Sequence, residues 1–284
     1  MTPTVLALAR QAADVLRERA AIDNARLEAE RLLAAVLGLQ RLDLYLQHDR
    51  PVDTAELERF RTAVRRRLRR EPLQYILGEA AFREIVLRID RRVLIPRPET
   101  EILAGEVLSW AGGRPLAILE VGTGSGAIAL SLAREGGFGR IVATDTSTDA
   151  LDVARANAAR LGLKDHVEFR SGPTFGPVSA DERFDIIVSN PPYVAESERE
   201  SLAPEVREWE PAGALFAGDD GMAMLDALVR GAPDRLADRG LLALEVGAGQ
   251  ADAVRGRAEA CGFDRVRIVQ DLAGHARVVL AERN

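Results

Sequence analysis

Apolar residues follow two different rhythms along this chain, and the change falls near Pro115. Over the first seventy residues they recur every three or four positions, which predicts amphipathic helices. One such stripe consists of Val5, Ala9, Ala12 and Leu16. After Pro115, short apolar runs alternate with helical stretches, a pattern typical of a parallel α/β sheet. We therefore predict an α/β fold preceded by a small helical bundle.

Between the two regions, alternating apolar and charged residues predict a short hairpin, followed by an extended crossing over Pro96-Arg97-Pro98-Glu99. The expected domains are a helical domain at residues 1–72, a hairpin linker at 73–101 and the α/β domain at 102–284. In the last we expect a seven-stranded sheet with an antiparallel end strand. Strands are predicted at 116–121, 140–144, 166–170, 184–189, 241–246, 266–269 and 277–281, and helices at 127–134, 147–161, 221–237 and 250–261.

The strand from Phe184 to Ser189 runs directly into Asn190-Pro191-Pro192-Tyr193. The prolines cannot donate to a sheet and stiffen the chain at the carboxyl end of the strand, the edge where α/β sheets bind ligands. Asn190 offers a side-chain carbonyl, Pro191 a main-chain carbonyl, and Tyr193 a flat ring. Two acceptors aimed at one spot suit an NH2 group, such as a carboxamide or an exocyclic base amine. A plain proline-rich turn is the alternative interpretation.

A second candidate site follows the first predicted strand of the α/β domain. Gly122-Thr123-Gly124-Ser125-Gly126 leads into a helix, and glycines at alternate positions let the backbone approach a ligand closely. This loop alone suits nicotinamide, flavin or S-adenosylmethionine sites, and its spacing departs from the usual dinucleotide fingerprint. Asp145 ends the next strand, where an acid accepts hydrogen bonds from ribose hydroxyls. Together the two features indicate a nucleoside-containing cofactor, although Asp145 is also placed to cap a helix.

Composition narrows the class of protein. With 47% hydrophobic and 29% charged residues, the chain is typical of globular proteins. Its net charge of −6 argues against stable binding of nucleic acid, which needs a basic surface. A single cysteine, Cys261, fits the reducing cytoplasm, and we expect no metal site, signal peptide or membrane span.

The run from Arg61 to Arg70 contains six arginines on the last helix of the predicted bundle. A solvated helix face is one interpretation of this run, and a docking patch for an acidic partner is the other.

These motifs occur together in a known family. Glu120 to Gly126, Asp145 and Val188 to Tyr193 resemble, in this order, class-I S-adenosylmethionine-dependent methyltransferases that act on an NH2 nitrogen. Further segments are similar to the PrmC/HemK family, the glutamine N5-methyltransferases of peptide-chain release factors. These are Pro72 to Gly78, Leu94 to Glu101, Glu210-Pro211, Gly218 to Gly221, and Leu244 to Gly247 with Gln250.

The resemblance implies a Rossmann-like sheet, S-adenosylmethionine as cofactor, and a cytoplasmic enzyme that methylates the glutamine of the Gly-Gly-Gln motif in release factors. It assigns Gly122, Thr123, Gly124, Ser125 and Gly126 to the methionine portion of the cofactor and Asp145 to its ribose, with Asn190 also in contact. The substrate amide would be held by Asn190 and Pro191, with Pro192 shaping the turn and Tyr193 packing on the amide plane. The stretch Gly172 to Phe175 departs from the family pattern, so the adenine contact stays open.

Two other functions compete with this one at the level of sequence. An exocyclic-amine methyltransferase acting on DNA or RNA would use the same tetrad, and the arginine run keeps that alternative open. A nicotinamide-dependent oxidoreductase is more distant, because it leaves Asn190 to Tyr193 unexplained and has a different glycine spacing.

Overall fold

The structure is a computed structural model and describes residues 3–283. Residues 1, 2 and 284, at the outer ends of the predicted domains, lie outside the described part. The chain forms two compact units. The first runs to Glu79 and also includes Ala203–Trp209, while the second consists of Ala80–Leu202 and the chain from Glu210 onward. Among residues 3–283, no helix has the length and apolar character needed to cross a bilayer.

The first unit is helical, as the apolar stripes predict. Its helices are α1 (Val5–Ala20), α2 (Ala25–Leu37), α3 (Asp43–Leu46), α4 (Thr54–Leu68), α5 (Leu73–Leu77) and α9 (Pro204–Trp209). Asp53 and Glu56 form the capping box that opens α4, each side chain accepting the other's backbone N–H at 2.8 and 3.0 Å. The helices enclose one apolar core that includes Leu16, Leu33 and Phe60.

The arginine run on α4 is only partly a solvated face. Arg67 is 4% exposed and pairs with Glu28 and with Glu205 of α9, at 2.5 and 2.9 Å. Arg70 also pairs with Glu205, and Arg66 pairs with Glu71. Half of the run therefore holds the helical unit together, while Arg61, Arg65 and Arg69 remain exposed.

The second unit begins at Ala80, inside β1 (Glu79–Phe82), which forms a hairpin with β2 (Ile85–Arg88), and α6 (Pro98–Ala111) follows. The expected extended crossing thus ends at Arg97, because Pro98 occupies the first turn of a helix, where its missing N–H costs nothing. The remaining elements alternate. They are β3 (Ala117–Val121), α7 (Ala127–Glu135), β4 (Arg140–Asp145), α8 (Thr148–Leu161), β5 (Glu168–Ser171), β6 (Phe184–Ser189), α10 (Ala223–Gly231), β7 (Leu236–Glu245), α11 (Ala251–Ala260), β8 (Arg265–Gln270) and β9 (Ala276–Glu282). Short 3-10 helices span Glu196–Ser201, Ala212–Ala214 and Ala232–Asp234.

Strands β3 to β9 form one seven-stranded sheet in the order β5-β4-β3-β6-β7-β9-β8, which confirms the predicted fold class. Strands β5, β4, β3, β6 and β7 run parallel, and β9 is antiparallel to both of its neighbours. The antiparallel strand expected at the end of the sheet therefore lies one place inside the edge, with β8 outside it. Strand β6 lies between β3 and β7, so the carboxyl ends of these three strands meet at one edge.

The helix predicted at 221–237 is wrong in its second half. Helix α10 stops at Gly231, a 3-10 turn follows, and Leu236 already belongs to β7. Pro233 lies in that turn. Because a proline has no N–H to donate, the α-helix does not continue through this position.

Candidate active site

The glycine loop between β3 and α7 depends on backbone conformations that only glycine adopts freely. Gly122, Gly124 and Gly126 have φ angles of +78°, +55° and +85°. A Cβ on Gly126 would also lie 2.8 Å from Cδ1 of Leu130, so a side chain has no room there. The loop consequently presents bare main chain at the start of α7.

Main-chain and buried groups hold this loop in place. The backbone N–H groups of Gly122 and Thr123 both donate to the carbonyl of Thr144 on β4, at 2.8 and 2.9 Å. On the other side, the amide of Asn157 is fully buried and donates to the carbonyl of Ser125 at 3.0 Å. The cradle is thus rigid from both sides.

Asp145, at the end of β4, faces the glycine loop. One carboxylate oxygen accepts the N–H of Gly124 at 2.9 Å, and the other accepts the N–H of Ser147 at 2.9 Å. Each carboxylate oxygen has a second lone pair, and the residue is only half-buried. Asp145 therefore orders the loop and can still accept hydroxyl donors from a ligand. The helix cap itself is Ser147, whose hydroxyl accepts the N–H of Ala150.

Glu120 lies on β3 directly before the glycine loop and is 1% exposed. One of its oxygens, Oε2, accepts the hydroxyl of Thr123 at 2.6 Å and the N–H of Ala129 at 3.1 Å. Burial raises the pKa of Glu120 to about 7, and the nearby Asp145 adds to the rise. The Glu120 carboxyl therefore connects the glycine loop to the first turn of α7.

The tetrad begins where β6 ends, next to the glycine loop. Ser189 donates its hydroxyl to the carbonyl of Val121 on β3 at 2.6 Å, which fixes the last residue of β6 against the neighbouring strand. A Cβ on Gly122 would lie 4.0 Å from the main-chain oxygen of Asn190. The two motifs that the sequence places 64 or more residues apart are therefore adjacent in space.

A chain of hydrogen bonds runs from Asn190 to Tyr193 through two residues that are distant in sequence. Asn190 donates its side-chain Nδ2 to Thr100 Oγ1 at 2.9 Å, and Thr100 donates its hydroxyl to Glu245 Oε2 at 2.6 Å. Tyr193 donates its hydroxyl to the other oxygen of Glu245 at 3.1 Å. Thr100 is 4% exposed and Glu245 1% exposed, so the two central members of this network are closed to bulk water, whereas Asn190 and Tyr193 are partly buried.

Burial dominates the electrostatics of this network. It raises the pKa of the Glu245 carboxyl to about 7, against the opposing effect of the hydrogen bonds from Thr100 and Tyr193. Burial, together with the negative charge of Glu245, also raises the pKa of Tyr193 well above its ordinary value. The phenol therefore stays protonated and acts as a donor.

The segment after the tetrad is held by glutamine and glycine. Gln250 donates its Nε2 to the carbonyl of Tyr193 at 2.9 Å and accepts the N–H of Gly247 at 2.9 Å. A Cβ on Gly247 would lie 3.1 Å from Cδ2 of the Tyr193 ring, and one on Gly221 would overlap the Tyr193 carbonyl. Both glycines make room for the tyrosine.

Arg97, from the family-like stretch before α6, forms an ion pair with Glu210 at 2.5 Å. Glu210 is 6% exposed and also accepts the N–H of Ile95 at 3.3 Å. Burial raises the pKa of Glu210, although Arg97 opposes the rise. This pair joins the segment before α6 to the chain that returns after α9.

One cleft brings most of these groups together. It is lined by Leu94, Pro96, Arg97, Thr100, Glu120, Gly122, Thr123, Gly124, Ser125, Ala127, Ile128 and Asn190. Asp145, Gly126 and Pro191 to Tyr193 lie outside this lining, and Asp145 reaches it through the N–H of Gly124. The ring of Phe175 is partly buried against the core of the second unit, with its Cδ2–Cε2 edge next to Gly231 of α10.

Sequence reasoning assigned no role to Thr100, Glu120, Glu210 or Glu245. Glu120 and Glu245 carried a signal, because each is a lone acid in an otherwise apolar strand. Thr100 lies in the family-like stretch Leu94 to Glu101, but no local pattern indicates its contact with Glu245, which is 145 residues away.

The comparisons with known proteins agree with this geometry. Residues 118–210 match the family model of a methyltransferase domain. A methyltransferase from Pyrococcus furiosus has the same fold, with a TM-score of 0.53 at 18% identity over 70% of this chain and 88% of that chain. The protein is thus a class-I methyltransferase, a class that takes its methyl group from S-adenosylmethionine.

Closer relatives define the family. Residues 7–78 match the PrmC N-terminal domain. The release factor glutamine methyltransferase of Geobacter sulfurreducens is 43% identical over 258 residues, covering 91% of this chain and 89% of that protein. The enzyme of the same name from Cereibacter sphaeroides is 43% identical over 280 residues, covering 95% and 98%. This chain belongs to the release factor glutamine methyltransferase family, which confirms the resemblance found in the sequence.

Proposed function

We propose that this protein transfers a methyl group from S-adenosylmethionine to the side-chain amide nitrogen, N5, of the glutamine in the Gly-Gly-Gln motif of peptide-chain release factors. Family membership over nearly the whole chain supports the reaction. The observation that carries the site assignment is the position of Asn190, which lines the same cleft as the glycine loop. That position brings an amide-binding group next to a cofactor cradle.

The cofactor-binding residues in this proposal are Gly122 to Gly126, Asp145 and Asn190. The cradle fits the group, because its three glycines leave bare main chain along the cleft, so a ligand can approach the backbone closely at these positions. Asp145 keeps lone pairs for the ribose hydroxyls while it orders Gly124. When bound, S-adenosylmethionine supplies an electrophilic methyl group on a sulfonium sulfur.

Asn190, Pro191 and Tyr193 are the proposed catalytic residues, and Pro192 completes the substrate-binding set. The side-chain carbonyl of Asn190 and the main-chain carbonyl of Pro191 each accept one hydrogen of the substrate NH2. Tyr193 covers the plane of the amide with its ring. Its hydroxyl is engaged with Glu245, which limits rotation of the side chain.

These contacts address the main chemical difficulty, since the lone pair of an amide nitrogen is delocalised into its carbonyl. Acceptors on both hydrogens increase the electron density on nitrogen and fix its direction of approach. Holding the reacting atoms about 3 to 3.5 Å apart and in line is then the principal contribution of the protein. The nitrogen becomes acidic only as it gains the methyl group, so its proton leaves late, to water or through these two carbonyls.

The experiment that tests the function combines the purified protein with labelled S-adenosylmethionine and a purified release factor. We expect one methyl group on the Gly-Gly-Gln glutamine, located by mass spectrometry of the digested release factor. A release factor in which this glutamine is replaced by asparagine is the matched control, because the amide is retained but withdrawn by one methylene. Label on the control, or none on the natural factor, would contradict the proposal.

A parallel reaction with DNA and RNA tests the alternative substrate class. The ion pairs of Arg66, Arg67 and Arg70 within the helical unit weaken the case for a nucleic-acid surface on α4. We expect no label in either nucleic acid. Since the proposed substrates are proteins of the cytoplasm, we infer that the enzyme acts there.

The helical unit is proposed to dock the release factor. Arg65 and Arg69 are exposed, one turn apart on α4 and at its end, and suit an acidic surface. Reversing both to glutamate should raise KM for the release factor at low salt, with kcat unchanged. The matched control reverses the exposed Arg10 and Arg31 on α1 and α2. Equal KM values for the two double variants would remove α4 from the docking surface.

A further inference from the structure

Thr100 and Glu245 lie on different elements, α6 and β7, yet both are buried beside the proposed catalytic asparagine. The family comparison assigns neither residue a role. We propose, building on the proposed function, that Thr100 and Glu245 are positioning residues that fix which end of the Asn190 amide faces the substrate nitrogen.

A free asparagine side chain can present either of its two ends to the substrate. Its side-chain amide has an oxygen at one end and an NH2 at the other, and the two are nearly equal in size. Only the oxygen can accept a hydrogen from the substrate amide. Turned by half a rotation, Asn190 would place its own NH2 against the substrate NH2. A site that relies on this asparagine therefore needs something to select one orientation.

The hydrogen bonds of the network select one orientation of the Asn190 amide. Thr100 has one hydroxyl hydrogen, and ionised Glu245 can only accept. The 2.6 Å contact between Thr100 Oγ1 and Glu245 Oε2 therefore uses that hydrogen. Thr100 Oγ1 then offers Asn190 nothing but a lone pair, and at 2.9 Å only the NH2 end of Asn190 suits it. The carbonyl oxygen of Asn190 is left for the substrate.

Glu245 is also held from its other side, where Tyr193 donates to Oε1 at 3.1 Å. One carboxylate thus orders both side chains that flank the two prolines of the tetrad. The opposite orientation of Asn190 would bring its oxygen against Thr100 Oγ1 with no hydrogen between them, and in a buried site such a contact is costly.

The device requires an ionised Glu245, so turnover should depend on pH. The charged groups that face Glu245 are Glu99 of α6, which disfavours ionisation, and Arg277 of β9, which favours it. Arg277 is itself paired with Asp271 at 3.1 Å. Protonated Glu245 can donate to Thr100, which frees the threonine hydrogen for the oxygen of Asn190 and allows the wrong orientation. Since the pKa is raised to about 7, kcat should fall as the pH drops below that value.

The test compares Thr100→Val with Thr100→Ser at saturating S-adenosylmethionine. Valine keeps the shape but removes the hydroxyl, and we expect kcat to fall by about 10- to 100-fold, because the amide loses its orientation. Serine restores the hydroxyl and should return kcat to within about threefold of wild type, since it keeps both the donor and the acceptor and lacks only the methyl group of threonine. Thr62→Val, at an exposed threonine of α4, is the matched control. Unchanged turnover in Thr100→Val, or equal loss in Thr100→Ser, overturns the proposal.

Glu245→Gln provides a second measurement that does not depend on the folding of the valine variant. Glutamine can donate to Thr100 at any pH, so we expect a reduced kcat and no decline on the acid side of the profile. The exposed Glu259→Gln should keep both the wild-type kcat and its acid limb. If the pH profile of kcat for Glu245→Gln matched that of wild type, the proposal would be wrong.

These outcomes also separate the positioning role from the proposed function. If wild type adds no methyl group to the release-factor glutamine, the function itself is wrong. If wild type methylates the glutamine and the Thr100 and Glu245 variants behave like it, only the positioning role is refuted. Equilibrium binding of S-adenosylmethionine by calorimetry should change much less than kcat in these variants, because the hydrogen bonds of Thr100 and Glu245 go to each other and to the side chains of Asn190 and Tyr193.

Discussion

Two buried glutamates, at the ends of β3 and β7, lie on either side of the strand that carries Asn190. Both are 1% exposed, and burial raises the pKa of each to about 7. Their partners differ. Glu120 accepts hydrogen bonds from a threonine of the glycine loop and from a backbone N–H of α7, whereas Glu245 accepts them from the side chains of Thr100 and Tyr193.

The difference indicates that the two proposed halves of the site are built by different means. The proposed cofactor half, Gly122 to Gly126 with Asp145, is mainly main chain, shaped by glycines and fixed by carboxylates that accept backbone N–H groups. The proposed substrate half combines the main-chain carbonyl of Pro191 with the side chains of Asn190 and Tyr193, whose orientation depends on where single protons lie. We therefore expect changes in the first half to alter cofactor affinity or stability, and changes in the second to alter turnover.

The largest effect is expected for Asn190→Ala, which removes a proposed acceptor for the substrate NH2. Loss of one such contact to the reacting group should lower kcat on the order of 10²- to 10³-fold. Cofactor affinity, measured by calorimetry, should change much less. An alanine variant with normal turnover would contradict the assignment of the tetrad, and one that loses only cofactor affinity would place Asn190 in the other half.

Glu120→Gln tests the electrostatics of the cofactor half through stability. The folded-state pKa of Glu120 is raised from 4.5 to about 7, which corresponds to up to about 3 kcal/mol. Its contribution to stability is complete below pH 4.5 and is lost as the pH rises through about 7. Glutamine can still accept from Thr123 and Ala129 but cannot ionise. The variant should therefore gain stability over wild type as the pH rises.

Urea unfolding of both proteins at about pH 5 and about pH 8 checks this prediction. The variant should exceed wild type in free energy of unfolding by a small amount at about pH 5 and by a large amount at about pH 8. Glu259→Gln, on the exposed face of α11, should show no such difference. A variant less stable than wild type at the higher pH would mean that the ionised carboxylate is net stabilising.

Asp145→Ala should weaken S-adenosylmethionine binding by about 10- to 100-fold, because hydrogen bonds to a charged group contribute about 1.5 to 3 kcal/mol. The expected result is a higher Kd in calorimetry, with kcat at saturating cofactor close to wild type. If kcat fell by a larger factor than Kd rose, Asp145 would contribute to turnover as well as to cofactor binding, and the proposed division of the site would be wrong.

The smallest effect is expected for Gln250→Ala, which removes two hydrogen bonds that hold the Tyr193 carbonyl and the N–H of Gly247. Turnover should fall by about 5- to 10-fold, in proportion to the one neutral hydrogen bond that holds the Tyr193 carbonyl, and Kd for the cofactor should not change. The exposed Gln270→Ala serves as the control. An unchanged kcat would indicate that the prolines alone hold the tetrad.

Much of the fold could be predicted because its signals are local. The strand before each candidate motif was visible as an apolar run, and β6 was predicted with its observed limits. Glycine spacing and the prolines after Asn190 also act within a few residues. The helix predicted to reach 237 was wrong because β7 extends farther back than its apolar run, through Arg239 and Asp238.

The rest of the site depends on contacts that no local pattern encodes. The sequence around Thr100 gives no sign of its hydrogen bond to Glu245, which only the fold brings next to it. In the same way, the arginine run on α4 suggested one surface, but Arg67 is buried between Glu28 and Glu205, which are 39 and 138 residues away. Charge alone could not separate the residues that hold the fold from those left to meet a partner.

The assignment of Ala203–Trp209 to the helical unit has a practical consequence for dissecting the enzyme. A single cut after Glu79 would not yield two intact pieces, because Glu205 would be separated from both Arg67 and Arg70. In the amino-terminal fragment Arg67 would keep Glu28 but lose Glu205, and Arg70 would lose the carboxylate of Glu205, which would destabilise the fragment. The helical unit can be studied alone only if α9 is kept with the other helices, either by circular permutation or as a peptide added in trans.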